Sequence, residues 1–329
     1  MTNLGKANIT RVKLIRTIAL GALLALVPAC GAAPERPPEQ APFRVITHAM
    51  GETAIPAEPK RVVALDQSFV DAVLSLETEV VGYTTYRAIT DGLPDYLGPL
   101  AETHADEAVS VGKLEEPSLE QIAALEPDLI VSAKVRHEAL YGQLSRIAPT
   151  VFSETTGAIW KDNLRLMGQA LGKEELAEAR IAEYEQRAAA IGRDIAAANG
   201  GALPTISVVR FAGEDTVRLY GEKSYSGVVL SDVGFPRPEG QPTSDAIAVD
   251  IAQENILDLD ADHIFIATYP DATTDGPKAQ FLANPLWSRL TGVQHEVSDL
   301  TWMSAVGLQG AHAMLDDVAR IFSVPPSRP

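Results

Sequence analysis

The sequence predicts an α/β protein of two lobes with parallel sheets, joined by one long helix. Three observations predict it. Apolar runs with strand character alternate with helical stretches on both sides of the chain's middle, an order that builds parallel sheets covered by helices. The helix-then-strand unit "SLEQIAALEPDLIVSA" from Ser118 returns as "AQENILDLDADHIFIA" from Ala252, and in a gapless alignment Glu120 falls on Glu254 and Asp128 on Asp262. Between the two units, residues 158–199 contain no proline and are rich in Ala, Glu, Leu and Arg, the composition of a helix.

The first 29 residues carry Lys6, Arg11, Lys13 and Arg16 and no acid, then the apolar run "TIALGALLALVPA" up to Cys30. A basic start, an apolar stretch too short to span a bilayer comfortably and a small residue before the cut describe a secretory signal over 1–29. "VPAC" resembles the lipobox of bacterial lipoproteins, whose cysteine is diacylated, although Pro28 is unusual there. Cys30 is the single cysteine of the chain, so it makes no internal disulfide; the alternative to lipidation is a leftover thiol. Residues 30–42, with "GAAPERPPEQAP", are proline-rich and aperiodic, as in an extended tether.

The N-terminal lobe is read over 43–157. Two β-rich runs flank a Gly and Pro turn region, "RVVAL" is a buried strand, "SFVDAVLSL" has helical spacing and "VVGYT" is another strand. Ser118 and Gln121 form a capping box, Pro127 stops the helix, "LIVSA" is a buried strand, and "QLSRIA" before "TVFS" repeats the order. The connecting helix over 158–199 has apolar positions at Leu164, Met167, Ala170 and Leu171, a weak point at Gly172, and ends at "NGG". The C-terminal lobe, 200–329, opens with the strand "TISVVRF". "TVRLYG" reads as a hairpin strand, "SGVVLSDVGF" and "ENILDL" as helices, "HIFIATY" as a strand and "GAHAMLDDVARIF" as a closing amphipathic helix.

The chain has 27 Lys and Arg against 44 Asp and Glu, and without the four basic residues of the signal 23 remain, a net charge of −21. Such a surface repels phosphate backbones and anionic membranes, so nucleic acid is excluded as a partner; solubility alone explains the acidity. The six histidines, at 48, 104, 137, 263, 295 and 312, show no short ligand spacing, which argues against direct capture of a metal ion. His263 lies inside a strand and reads as structural. The acid pairs Asp316 with Asp317 and Asp260 with Asp262 read as solvated faces. No phosphate loop, nucleophile elbow, zinc-protease helix motif or dinucleotide fingerprint occurs, so the expectation is a binder rather than an enzyme, with a hydrolase of scattered triad as the remote alternative.

The pieces "IPAEPKRVVALDQSFVDAVLSL", "VGYTTYR", "VGKLEEPSLEQIAALEPDLIV", "APTVF", "VVRF", "VLSDVGFPRP", "ENILDLDADHIFI" and "FLANPLWSRL", in this order from about Arg44 to Phe322, resemble the iron-siderophore substrate-binding proteins of bacterial ABC importers, in the iron and vitamin B12 binding group. The resemblance implies two Rossmann-like lobes on a helical backbone. It implies a monomer, lipid-anchored through Cys30 to the outer face of the cytoplasmic membrane, that passes a ferric siderophore to a permease. The siderophore itself wraps the iron, so no cofactor and no protein-borne metal are expected.

Arg87 follows a strand at the end where open α/β sheets place ligands, and Arg210 ends "SVVRF" in the other lobe; the resemblance gives both the task of meeting chelate oxygens, against the ordinary reading of surface ion pairs. Tyr269 and Trp302 also follow strands, where the family often places aromatic contacts, or else they pack in the core. Trp160 at the head of the connecting helix, Tyr225 and Tyr86 are further candidates, and Trp287 reads as packing. Glu120 and Glu254 each sit in a first helical turn, where the helix dipole alone favours an acid. By resemblance they dock arginines of the paired permease subunits, one per lobe. Ala252 stands where Ser118 caps the first helix, and Asp250 with Gln253 is the pair available to start the second helix a turn earlier. A strongly acidic protein disfavours a highly anionic catecholate complex, which leans the expectation to hydroxamate siderophores. Cobalamin or haem on the same fold is the alternative ligand. A single stiff helix between the lobes predicts a small tilt on binding rather than a wide swing.

Overall fold

The structure is a computed structural model that describes residues 41–86 and 92–327, all inside one compact unit that begins at Ala41. β1 (Arg44–His48) and β2 (Gly51–Ile55) form an antiparallel hairpin. Then come β3 (Val62–Ala64), α1 (Gln67–Ser75), β4 (Val80–Thr85), α2 (Pro99–His104), β5 (Val109–Lys113), β6 (Glu116–Pro117), α3 (Leu119–Ala124), β7 (Leu129–Ala133), α4 (Lys134–His137), α5 (Tyr141–Leu144) and β8 (Thr150–Ser153). The sheet order is β6-β5-β4-β3-β7-β8, parallel throughout except at the β5 to β6 edge. The central strands "VVA" and "LIVSA" are buried at every position, as a sheet covered on both faces requires.

Residues 160–198 form two helices rather than one: α6 (Trp160–Leu171) and α7 (Glu174–Ala198). Gly172 closes α6 in the left-handed region, at φ 69°, and a side chain there would strike the Phe43 ring at 2.6 Å. Lys173 uses the break: its Nζ donates to the carbonyls of Leu76 and Glu77 at 2.7 and 2.8 Å, just past the end of α1, where no intrahelical N–H reaches them. On α7, Ala177, Ile181, Tyr184, Ala188, Ile191 and Ile195 are buried, a stripe at spacings of three and four that makes this 25-residue helix the strut between the sheets.

The second half contains β9 (Ile206–Phe211), β10 (Val217–Tyr220), α8 (Tyr225–Val233), β11 (Ala248–Ile251), β12 (His263–Thr268), α9 (Ala272–Ala283), β13 (Val293–Val297) and α10 (Leu308–Ile321). Its order is β11-β10-β9-β12-β13. β9, β12 and β13 run parallel, and β10 and β11 add an antiparallel edge, so this sheet is mixed. α9 carries Pro277 within it, which is why its sequence does not read as a helix.

The repeated unit has a structural counterpart. Asp128 accepts the backbone N–H groups of Lys60 and Arg61 at 2.9 Å each, just before β3, while Asp262 accepts those of Thr205, backbone and hydroxyl, at 2.7 and 2.8 Å, just before β9. In both halves the aspartate ahead of a central strand pins the start of its parallel neighbour. These acids, like Asp260, which accepts from Thr291 and Gly292, are engaged rather than simply solvated. The Glu254 unit departs from its copy: Gln253–Leu259 is a 3-10 helix with no side-chain cap at Ala252. Asp250 does not start it earlier, because that residue is paired in β11 opposite Arg218.

One apolar core runs through the helical layer and touches both sheets, joining Phe69 of α1, Trp160 and Met167 of α6, Tyr184 of α7, Phe265 of β12 and Met314 of α10. Two smaller clusters cover the outer faces of the sheets. At the centre of the shared layer lies Asp71 of α1, fully buried. Its carboxylate accepts the backbone N–H groups of Gln309 at 3.0 Å and Gly310 at 3.1 Å, capping α10 from the other half of the chain, and a bond from Ser75 at 3.2 Å. Gly307 makes room: its φ is 153°, and a Cβ there would lie 2.3 Å from the Asp71 carboxyl carbon. The Tyr225 hydroxyl fixes the same turn by donating to the Gly307 carbonyl at 2.9 Å.

Burial pushes the Asp71 carboxyl up from 3.8 to about 6, against the pull of its hydrogen bonds to Gln309 and Gly310. The folded protein therefore binds this proton more tightly than the unfolded chain does. The contribution of this group to stability is highest below pH 4 and is lost as pH rises to about 6, by about 3 kcal/mol for a shift of this size. Asp71→Asn, whose carbonyl still accepts from α10, should lack that fall and melt no lower than the parent at pH 7.5, whereas Asp71→Ala, which loses the cap, should melt several degrees lower. Thermal melts from pH 4 to 8 check both.

Candidate functional site

The carboxyl ends of the two sheets' parallel strands meet across a cleft of about 290 Å³. From the first half it is lined by Asp66 after β3, Tyr86 after β4, Val135 and Arg136 after β7, and Thr155 and Thr156 after β8. The second half contributes Arg210 near the end of β9, Arg218 and Tyr220 of β10, Tyr225 at the head of α8, Ile247, and Trp302, Met303, Ser304 and Val306 before α10. Both sheets thus deliver polar groups at the end where α/β crevices hold ligands.

Three guanidinium groups converge here, each braced by a carboxylate. Arg136 donates from Nε to Asp66 at 3.0 Å and lies 5.8 Å from the Tyr86 ring centroid. Asp66 is itself fixed as the N-cap of α1, accepting from the Ser68 N–H at 2.9 Å. Arg210 is 4% exposed and forks onto Asp299 at 2.6 and 2.9 Å, with Nη1 donating to the Tyr220 hydroxyl at 3.2 Å. Burial pushes its pKa down, but the bonds to Asp299 and Tyr220 outweigh this and leave the group more firmly charged than usual. Arg218 is clamped by Glu214, from Nε at 2.9 Å and through Nη2, which raises its pKa in turn. A paired arginine keeps N–H groups that its brace does not use, so such a cleft presents donors in fixed directions to an anionic ligand.

The expected residues separate into groups. Arg210, Tyr86, Tyr225 and Trp302 line the cleft together. Arg87 lies outside the described residues, as does Cys30. Tyr269 is not a lining residue; its ring lies under the Arg210 guanidinium, 5.5 Å from centroid to Cζ, and supports that side chain from behind. Trp302 is fully buried, with its indole N–H donated to Asp317 at 3.0 Å and its ring 4.7 Å from Phe265, so it forms the packed wall of the cleft. Trp160 is placed in the shared core instead of on the cleft floor, edge-on to Tyr184 at 5.0 Å, because it faces the strut. Trp287 packs on Phe211. His263 bonds to His295 at 2.8 Å. Glu120 and Glu254 are both exposed, Glu120 accepting a hydrogen bond from the Ser118 hydroxyl at 3.3 Å.

Sequence reasoning missed Arg136, Arg218, Asp299 and Asp66. Arg136 carried a usable signal, since it lies three residues past the end of the buried strand "LIVSA". Asp299 carried none, because "VQHEV" lacks the apolar run of a buried strand and alternates between exposed and half-buried positions. Among the described residues, no group of three or more His, Cys, Asp or Glu is arranged to hold a metal ion, and no helix is long and apolar enough to cross a membrane.

Two α/β lobes on a helical strut, with braced cations at the seam, define a substrate-binding protein. Residues 62–296 match the family described as periplasmic binding protein, and the chain belongs to that family. It is 36% identical over 294 residues to the probable siderophore-binding lipoprotein YfiY of Bacillus subtilis (strain 168), covering 85% of this chain and 87% of the relative. It is 30% identical over 284 residues to the Fe(3+)-citrate-binding protein YfmC of the same organism, covering 84% and 85%. Among solved structures it is similar to Staphylococcus aureus SirA complexed with staphyloferrin B, with a TM-score of 0.76 and 32% identity over 86% of this chain and 99% of that one.

The Arg210–Asp299 pair is buried on both sides, at 4% and 5% side-chain exposure, so removing one partner strands the other charge. Asp299→Ala should lose about 3 to 5 kcal/mol in urea denaturation, and the double change Arg210→Met with Asp299→Leu should lose distinctly less.

Proposed function

We propose that this chain is the extracytoplasmic solute-binding component of an ABC importer, and that it captures a ferric siderophore in the cleft between its lobes. The observation that carries this reading is the convergence of Arg136, Arg210 and Arg218 on one cleft from both sheets, each held in place by its own carboxylate. An iron chelate shows the protein a rim of negatively polarised oxygens already bound to the metal. What the site must supply is aimed N–H donors, together with apolar surface for the rest of the ligand. Val135, Ile247, Met303 and Val306 offer that surface. The names of the relatives, a siderophore-binding lipoprotein and a ferric-citrate-binding protein, support the same class. Within it, the acidity of the whole molecule favours complexes of low net charge, which keeps hydroxamate types ahead of tris-catecholates.

The lobes turn one exposed glutamate each to solvent, Glu120 and Glu254, and these serve as the docking charges for two permease subunits. Pairing of such rim charges sets the encounter and its register more than the final affinity. Residues 1–29 act as the export signal, and the lipid on Cys30 with the tether 30–42 holds the lobes, 43–157 and 200–329, near the membrane as a monomer.

Titration of the purified protein with ferric hydroxamate, ferric citrate, ferric catecholate, cobalamin and haem tests the reading. Binding of at least one ferric chelate is expected; binding of cobalamin or haem alone would replace it. Arg136→Ala and Arg218→Ala should each weaken the preferred chelate about 10- to 100-fold, the loss of one charge-assisted contact. Glu120→Arg combined with Glu254→Arg should abolish uptake by cells while the chelate affinity of the purified protein stays unchanged, and intact uptake would remove the docking role.

A further inference from the structure

Beside β10, the turn Gly221–Lys223 and the segment Pro238–Ala246 line a second cavity of about 470 Å³. Tyr220 lines both this cavity and the cleft. The cavity is polar, with Gln241, Thr243 and Ser244 around it, and Arg237 is among its lining residues. Arg237 stands between Pro236 and Pro238, which fix the backbone on either side of it. Both of its terminal nitrogens are buried and have no hydrogen-bond partner among the described residues. That is unusual for a group that stays charged at any physiological pH and carries five donors. The neighbouring charges do not resolve it. Lys223 and Asp245 neutralise each other at the rim, 2.5 Å apart. Glu222, also a lining residue, is exposed and acts on Arg237 only at a distance, offsetting in part the depression of its pKa by burial.

We propose that this cavity is a second binding site, independent of the iron chelate, that takes a small oxyanion, a carboxylate or a phosphate, in the fork of Arg237 Nη1 and Nη2. A planar guanidinium matches two oxygens of one anion side by side, and the hydroxyls of Thr243 and Ser244 and the amide of Gln241 complete a polar lining. With both nitrogens covered, the anion reaches them as the Pro238–Ala246 segment gives way, and it replaces the missing partners.

The test uses the mature protein at constant ionic strength, with sodium acetate and sodium phosphate as probes against sodium chloride. Thermal melting and titration calorimetry should show a saturable rise in melting temperature with at least one oxyanion, and the more effective of the two identifies the source. Arg237→Gln should abolish the rise while keeping ferric-chelate affinity. Glu222→Gln should tighten oxyanion binding several-fold by removing a competing negative charge. Side-chain nitrogen resonances of Arg237 in the unmodified protein, which need no variant to fold, should shift along the same titration curve. An equal rise in the parent and in Arg237→Gln, or unmoved Arg237 resonances, would overturn the proposal. So would a Glu222→Gln variant that melts lower and no longer responds to either anion, because Glu222 would then be the true partner.

Discussion

A carboxylate in the middle of the molecule, Asp71, holds the start of the last helix. Its partners Gln309 and Gly310 are 238 and 239 residues away in sequence, so these bonds exist only when α1, α10 and the turn at Gly307 are all in place. The strut packs in the same core, and Tyr225, a cleft residue, is tied to the same turn through the Gly307 carbonyl. The cleft floor and the helical layer are therefore one construction. Because the apolar core is continuous from one sheet to the other, the halves cannot rotate far without breaking buried contacts.

The braced arginines follow from a second constraint. In a chain with 44 acidic side chains, a long flexible cation would collapse onto whichever carboxylate was nearest. Pairing Arg136 with Asp66, Arg210 with Asp299 and Arg218 with Glu214 settles that choice in advance and fixes where the unused N–H groups point. The price is reduced net positive charge at the site, so recognition depends on direction as much as on attraction. The Tyr269 ring beside Arg210 and the packed Trp302 belong to the same arrangement.

Much of this was legible in the residues. Alternation of strand and helix gave the two α/β halves, the proline-free middle gave the helical connection with its break at Gly172, and the strand-end position of Arg210 placed it in the cleft. The repeat was seen, but its most repeatable element was the aspartate rather than the glutamate: Asp128 and Asp262 each pin a neighbouring strand, whereas Glu120 and Glu254 sit on helices of different kinds. What stayed hidden depended on long-range packing. An aromatic at a strand end reads alike whether it faces a cleft or a core: Trp160 is in the core against Tyr184, and Trp302 walls the cleft while packing on Phe265 and donating to Asp317. Asp71 looked like an ordinary polar position on an amphipathic helix, because the backbone donors that bury it lie near the other end of the chain.

That separation has a consequence for how the molecule comes into being. During synthesis Asp71 emerges long before Gln309, and a carboxylate facing apolar neighbours with only the Ser75 hydroxyl to accept is better left in water. The buried packing of α1 is therefore completed only once α10 supplies the Gln309 and Gly310 donors.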